Sequence, residues 1–478
     1  MDCEILEIGT ELVQTLTSDQ AWHYHILPKV CDGDHLVFYH DNENDSVSTR
    51  EELEILFGKK VLLQNISSLV IKKNLSKYYL RNNNSGPTVN SNSSQAKSHD
   101  FILDIIEEAN NLLCSDIHIE AYENGSRIRF RMDGKLFERY IIKKEDYPAL
   151  INKIKILANL DIAEKRLPQD GRILIKSSRT SYDIRVSVIP SLFGEKIVLR
   201  LLRKSTTKIV ISELGFEESQ LSGYLKGIHK PNGILLISGP TGSGKTTTLY
   251  ATLNILNKED VNILTIEDPI EYTIEGVNQV QLREDIGLTF ARALKTFLRQ
   301  DPDIIMLGEI RDPETAQMAI RAALTGHLVL STIHTNSAWG IITRLIDMGI
   351  PPFLLSSTIN TVVAQRLVRR LCPHCKEKIE LDRTLLSVDI VDKIKAQQHF
   401  LAKGCEQCHN TGYSGRLAIF EVINIDEKLK QLIHKSQYDI KDLIKEKRIK
   451  TLSESALEVY VSGMTSLEEI QPILLDAS

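Results

Sequence analysis

Three things are scarce in this chain of 478 residues. No apolar run reaches the roughly 20 residues that a membrane-spanning helix needs, so any membrane association is expected to come through a partner. Positive charge is not in excess. Lys and Arg number 58 against 63 Asp and Glu, a net charge of −5, which argues against a dedicated nucleic-acid binder while leaving room for a local basic patch. Aromatic residues make up only 6% of the chain, and they form no aromatic–basic platform of the kind that stacks single strands. The opening residues, MDCEILEIGTELVQ, are acidic and lack the basic-then-apolar order of a signal peptide, which predicts a cytosolic protein. Cysteines number seven, and four of them form two C-x-x-C pairs. In a reducing compartment that pattern points to a metal rather than to disulfides, and Cys3, Cys31 and Cys114 read as ordinary thiols. The length suits about three or four domains with at least one large core.

What the chain does have is a complete phosphate loop. Gly239, Pro240, Thr241, Gly242, Ser243, Gly244, Lys245 and Thr246, with Thr247 behind them, follow the apolar run ILLIS and open TTTLYATLNIL, where Leu249, Leu253 and Leu256 recur at helical spacing. Strand, glycine loop, helix is the order that aims backbone N–H groups and a helix N-terminus at phosphates. Lys245 can reach the outer phosphates of ATP or GTP, and the Thr246 hydroxyl can hold Mg²⁺.

Composition divides the rest. The segment 81–99, RNNNSGPTVNSNSSQAKSH, is rich in Asn and Ser and poor in apolar residues, so it reads as a linker. It sets off residues 1–80, which mix strands (His35–Tyr39, Val61–Gln64) with a helix around Thr49–Leu56 and show no catalytic pattern. From Asp100 an amphipathic helix gives way to alternating strands, an α+β pattern to residue 205 that ends near STTK, a flexible-looking joint. Beyond it strands and helices alternate as in a parallel sheet with crossover helices. After about residue 350 the chain reads as mostly helical, interrupted by the cysteine region.

Acids and histidines gather around the loop. The strand Ile304–Leu307 ends in Gly308-Glu309; a phosphate-loop ATPase normally has an acid here, and with Gly308 in the usual Asp position Glu309 must supply it. Glu267, Asp268 and Glu271 crowd another strand end, a cluster that suits a metal or an attacking water. His327 and His334 bracket the apolar run LVLSTI; they are candidates for sensing the γ-phosphate or a subunit interface, the alternative being that they only cap or pack. Cys372, Cys375, Cys405 and Cys408 form two knuckles 29 residues apart, a spacing that suits tetrahedral Zn²⁺ with no open position, hence a structural site. Arg369, Arg370, Lys376 and Lys378 are placed to offset its charge, and His374 and His409 read as spare.

In order, GPTGSGKT, ILTIEDPIEY, LRQDPDIIMLGEIRDPETAQMAIRAALTGH and STIHTN resemble the secretion-ATPase superfamily, and within it the type II secretion and type IV pilus assembly ATPases. SDIHIE, RLPQDGRI and RVSVIPSLFGEKIVLRLL match the same group, so the resemblance spans roughly residues 100–425. It implies an α/β protein: a RecA-like ATPase core at 206–350, preceded by an α+β, PAS-like N2 domain at 100–205 and a small partner-binding domain at 1–80. A helical C-terminal region at 351–478 would carry the zinc-binding tetracysteine element, 372–408. The resemblance implies ATP as substrate, Glu271 as general base, and Arg172 and Arg185 as arginines that reach the phosphates, with Arg166 and Arg200 weaker candidates. It also implies a homo-hexamer that drives pilin-like subunit assembly. Residues 1–80 would dock on the cytoplasmic domain of an inner-membrane platform protein, which makes the chain peripheral to that membrane. One N-terminal domain of about 80 residues favours type II secretion over pilus extension. Departures from the family pattern are small: Cys114 and Ala121 flank SDIHIE, and Trp339 stands in HTNSAWG. RecA-like cores and zinc ribbons also occur in nucleic-acid motors, a reading opposed by the acidic charge. A scaffold without turnover is opposed by Lys245, Glu271 and Glu309.

Overall fold

The computed structural model describes residues 6–475 except 7, 9, 14, 17, 33–34, 44–45, 80–96, 177–180, 203–209 and 381–397. Most of the expected linker and the STTK joint therefore lie outside the described residues. The chain divides into two units. The first is Met1–Arg203 with Cys372–Glu377 and Ala402–Ser414, and the second comprises the remainder.

In the first unit, β1 (Ile26–Asp32), β2 (His35–Asp41) and β3 (Lys60–Ile66) form a small sheet, with a helix at Ser46–Phe57 between the last two strands. β1 and β2 pair antiparallel, β2 and β3 parallel. A helix at Lys97–Asn111 then leads into β4 (Asp116–Tyr122), β5 (Gly125–Met132) and β6 (Lys135–Ile142). After a helix at Tyr147–Leu157 come β7 (Gln169–Lys176), β8 (Ser181–Ser191) and β9 (Gly194–Leu202). These six strands form one antiparallel sheet in the order β6-β5-β4-β9-β8-β7. Alternation along each strand gives the sheet two unlike faces. Ile117, Phe130, Leu199, Val186 and Ile173 lie on the apolar face, in one core with Ile105, Ile106, Ile151 and Ile154 of the two helices. One residue over, the register aligns Arg131, Asp116, Arg200, Arg185 and Arg172 in a single row across five strands.

The second unit is built on β10 (Gly233–Ser238), β11 (Ile263–Glu267), β12 (Asn278–Gln281), β13 (Ile304–Leu307), β14 (Leu328–Ile333) and β15 (Ile359–Leu371). A two-stranded ribbon, β16 (Lys376–Glu380) and β17 (Gln398–Ala402), precedes β18 (Tyr413–Asn424). The main sheet runs β12-β11-β13-β14-β10-β15-β18. Every residue of β10, β11, β13 and β14 is buried, as expected for parallel strands covered on both faces. The segment after residue 350 is less helical than its sequence suggests: β15 and β18 extend the main sheet. INTVVAQRLVRRL is strand because it pairs in parallel with β10, a long-range partner that the local pattern does not reveal. Helices at Glu427–His434, Lys441–Glu446, Leu452–Val461 and Leu467–Leu475 close the chain.

Candidate ATPase site

In a parallel sheet the carboxyl ends of the strands share one edge, where loops open a binding crevice. Ser238 at the end of β10 is level with Ile333 of β14 and Ala364 of β15, and Leu307 of β13 is level with Ile266 of β11. The phosphate loop, Gly308-Glu309, the Asp268–Glu271 turn and His334 therefore all leave the sheet at this edge. His327 enters β14 at the opposite end. Its Nδ1–H donates to the Ala322 carbonyl at 2.9 Å, so it caps the helix Pro313–Leu324 and the chain's own fold does not bring it to the site.

The loop glycines are there for backbone reasons. Gly239, Gly242 and Gly244 have φ of 150°, 81° and 85°, the left-handed region that disfavours other residues. A Cβ on Gly239 would also lie 2.4 Å from the Gln365 carbonyl of β15. Lys245 starts the helix Lys245–Leu256 and folds back over the loop, donating to the carbonyls of Gly239 at 2.8 Å and Pro240 at 3.1 Å. Burial lowers the lysine's pKa, Glu309 pulls it up and Arg366 pushes it down. The Ser243 hydroxyl is buried without a hydrogen-bond partner. An orphan donor among left-handed glycines fits a loop that wraps phosphate oxygens.

Glu309 is half-buried. One carboxylate oxygen pairs with Arg311, and the other faces His334 Nε2 at 3.5 Å. The Glu309 carboxylate is also the first influence that raises the Arg311 pKa. Arg311, two residues on, was not singled out by the sequence, although GEIRD puts it within reach. Behind these groups, Thr332 donates to the Gly308 carbonyl at 2.8 Å, and Arg366 donates to the Asn336 carbonyl at 2.9 Å in the loop after His334.

The three acids at the end of β11 do not form one cluster. Glu267 is buried and its carboxylate is taken up: it accepts from Tyr250, from Thr265 at 2.6 Å and from Gln279 at 3.1 Å. Asp268 is exposed and its charge raises the Arg311 pKa. The Glu271 side chain is exposed, while its backbone N–H donates to the Tyr250 hydroxyl at 3.2 Å. Trp339 is buried, with its indole N–H on the Tyr438 carbonyl at 2.7 Å, a packing role within the unit.

In the first unit Arg172 and Arg185 face each other across β7 and β8, and Arg200 is the next residue in the row. Arg172 is paired with Asp183, Arg200 with Asp116 at 2.9 Å, and Arg166 with Glu164 at 3.1 Å on the surface. The four knuckle cysteines do converge. Their sulfurs all lie within 4.8 Å of one another, with Cys372–Cys405 at 3.8 Å, Cys375–Cys408 at 3.7 Å and Cys405–Cys408 at 3.7 Å. A tetrahedron with Zn–S bonds of about 2.3 Å has sulfurs about 3.8 Å apart, so the donor set fits Zn²⁺. Backbone N–H groups of Cys405 and Gly412 donate to the Cys408 sulfur at 3.2 Å each, as thiolate ligands favour. Arg369 is not available to offset that charge, because Glu469 holds its guanidinium at 2.7 and 2.9 Å.

A model of the family described as "Type II/IV secretion system protein" matches residues 91–472. The chain belongs to this family. Over 368 residues this secretion ATPase is 48% identical to type II secretion system protein E of Pseudomonas aeruginosa, across 77% of this chain and 73% of that protein. Over 372 residues it is 48% identical to the type IV pilus assembly ATPase PilB of Myxococcus xanthus, across 77% of this chain and 66% of that protein. Among solved structures, the pilus retraction motor PilT with bound ADP superposes with a TM-score of 0.53 at 26% identity, covering 78% of this chain and 96% of that one. The Legionella pneumophila ATPase DotB shares the fold, with a TM-score of 0.60 at 22% identity over 80% of this chain and 98% of that one. The chain is thus a secretion ATPase that hydrolyses ATP. No helix among the described residues is long and apolar enough to cross a membrane.

Proposed function

We propose that this secretion ATPase works as a homo-hexamer that turns ATP hydrolysis into stepwise assembly of pilin-like subunits for type II secretion. The observation that carries the reading is the meeting of Lys245, Glu309 and His334 at the carboxyl edge of one parallel sheet in a chain of this family. Lys245 and the loop N–H groups hold the phosphates, and Glu271 orients and deprotonates the attacking water. Thr246 and Glu309 suit a Mg²⁺ ion, which when bound neutralises phosphate charge. His334 reports on the outer phosphate through Glu309. Arg172 and Arg185 offset charge that develops during phosphoryl transfer.

Four thiolates hold a structural Zn²⁺. Residues 1–80 act as the adaptor to the cytoplasmic part of an inner-membrane protein, so the ATPase is peripheral there. Residues 100–205 serve as the arginine-bearing N2 domain, 206–350 as the catalytic core, and 351–478 complete that core and carry the zinc element. A second reading, pilus extension, is supported by the equal identity to the Myxococcus pilus ATPase.

The test is deletion of the gene in its own host, with complementation by the wild type and by Lys245→Ala. Type II secretion predicts that exported proteins accumulate inside the cell while surface pili persist, and that Lys245→Ala fails to rescue. Loss of pili with normal export selects the second reading. Rescue by Lys245→Ala removes ATP turnover from either one.

A further inference from the structure

The loop that carries Glu271 is fastened more firmly than an exposed connection requires. Four of its backbone groups are held by side chains. Ile270 N–H donates to Gln281 at 2.9 Å and Ile274 N–H to Gln279 at 2.7 Å. Gln279 donates to the Tyr272 carbonyl at 3.1 Å, and Glu271 N–H donates to the Tyr250 hydroxyl at 3.2 Å. Gln279 and Gln281 belong to β12, the neighbouring edge strand. Tyr250 comes from elsewhere: it lies in the helix that begins at Lys245, one and a half turns behind the phosphate loop.

We propose that Tyr250 is a positioning residue for ATP hydrolysis, its hydroxyl fixing the Glu271 backbone to the helix that grips the phosphates. The proposal rests on the reading of Glu271 as the base. Tyr250 is fully buried, and its ring packs edge-on against Tyr272 with centroids 4.6 Å apart. A phenol donates once and can accept as well. Here the proton goes to Glu267 and the oxygen receives Glu271 N–H. Glu267 is in turn held by Thr265 and Gln279, so the direction of the tyrosine proton is set by a fully engaged carboxylate. Burial, then the hydrogen bond to Glu267, pushes the phenol pKa well above its ordinary value. It therefore stays protonated and is not itself the base. Of the three acids in the segment, Glu267 orients Tyr250, while Asp268 and Glu271 both keep exposed carboxylates, and Glu271 is the one whose backbone Tyr250 holds. A base displaced by about 1 Å can lose on the order of 10²-fold in rate, so this anchor should act on the chemical step.

The experiment measures kcat and KM for ATP in Tyr250→Phe, Glu271→Gln and the double variant, with Glu267→Gln as a second probe of the same anchor. Thermal melting checks that each is folded. Tyr250→Phe removes only the oxygen. The expected result is a fall in kcat on the order of 10- to 100-fold with KM changed by less than about threefold. Glu267→Gln should show the same split, and the double variant should be no slower than Glu271→Gln alone. Wild-type kcat in either folded anchor variant, with Glu271→Gln slow, overturns the proposal. So does a double variant in which the two losses multiply. Wild-type turnover in Glu271→Gln instead overturns the reading of the base on which the proposal rests.

Discussion

Arg172 and Asp183 form a two-pronged ion pair across β7 and β8, with the guanidinium Nε 2.6 Å from one carboxylate oxygen and Nη2 on the other. The Arg172 side chain is 59% exposed, so the pair adds at most about 1 kcal/mol to stability. Its interest lies in what it occupies. If Arg172 serves the phosphates, Asp183 competes for it. Arg172→Ala should then lower turnover by at least about 10-fold with a smaller change in nucleotide affinity, because developing charge is what it offsets. Arg185→Ala should behave alike. Asp183→Asn keeps the arginine and weakens its competitor, so turnover should hold or rise. Steady-state ATPase rates with parallel nucleotide titrations decide the matter. Equal losses in Arg172→Ala and Asp183→Asn would mean that the pair only braces the sheet.

Glu309 and Glu271 differ in setting, and their variants should differ too. Glu309→Gln removes the charge facing Lys245, Arg311 and His334, so ATP binding itself should change along with a drop in kcat of about 10²-fold or more. Glu271→Gln alters an exposed side chain outside the loop and should bind ATP normally while losing a similar factor in kcat. Isothermal titration with ATP, beside single-turnover hydrolysis, separates the two effects. If both variants turn over normally, Asp268 becomes the candidate acid, since Glu267 is committed to Tyr250, Thr265 and Gln279.

Those last contacts mark where the sequence stopped being informative. The phosphate loop was legible because its residues are contiguous and their chemistry is local. The cysteine knuckles were legible because the C-x-x-C spacing restricts geometry. Glu267, Asp268 and Glu271 looked alike in sequence, for nothing local says that a tyrosine from another element saturates one of them. The two histidines around LVLSTI read alike, since each abuts the same apolar run. A strand is directional, and the carboxyl-edge rule for parallel sheets already separates His334 from His327. β15 was hidden because its partner β10 lies more than 100 residues earlier in the chain, and β18 because it neighbours β15 from beyond the cysteine region. The row of Arg172, Arg185 and Arg200 needed the register of three strands, which sequence alone does not supply.

The four cysteines yield a metal prediction. One Zn²⁺ per chain should be found by elemental analysis of freshly purified, tag-free protein. Replacing Cys375 or Cys405 with Ser should lose the metal and lower local stability, while ATP binding by the second unit persists. Limited proteolysis should cut variant protein near residues 372–414 before the rest of the chain. Stoichiometric zinc retained in both single variants would show that the four thiolates are not the ligand set.

A pH prediction comes from Glu120 on the polar face of β4. Burial would raise its carboxyl, but hydrogen bonds from Arg129 at 2.8 Å, Lys196 at 3.0 Å and the Tyr122 hydroxyl at 3.0 Å outweigh it and hold the pKa at about 2, against an ordinary 4.5. A carboxyl whose folded pKa is depressed contributes stability above its unfolded value. That contribution is lost as pH falls from about 4.5 toward about 2. Glu120→Gln preserves the shape, gives up the charge and has nothing to titrate in this range. The wild type should therefore melt at a higher temperature than the variant near neutral pH. The gap should narrow steadily below about 4.5, because protonated Glu120 is as neutral as the glutamine that replaces it. Thermal melts of both proteins over this range, at one fixed ionic strength, provide the measurement. A gap that stays constant down to the lowest pH would mean that shape or packing, rather than the carboxylate charge held by Arg129 and Lys196, is what Glu120 contributes to the sheet.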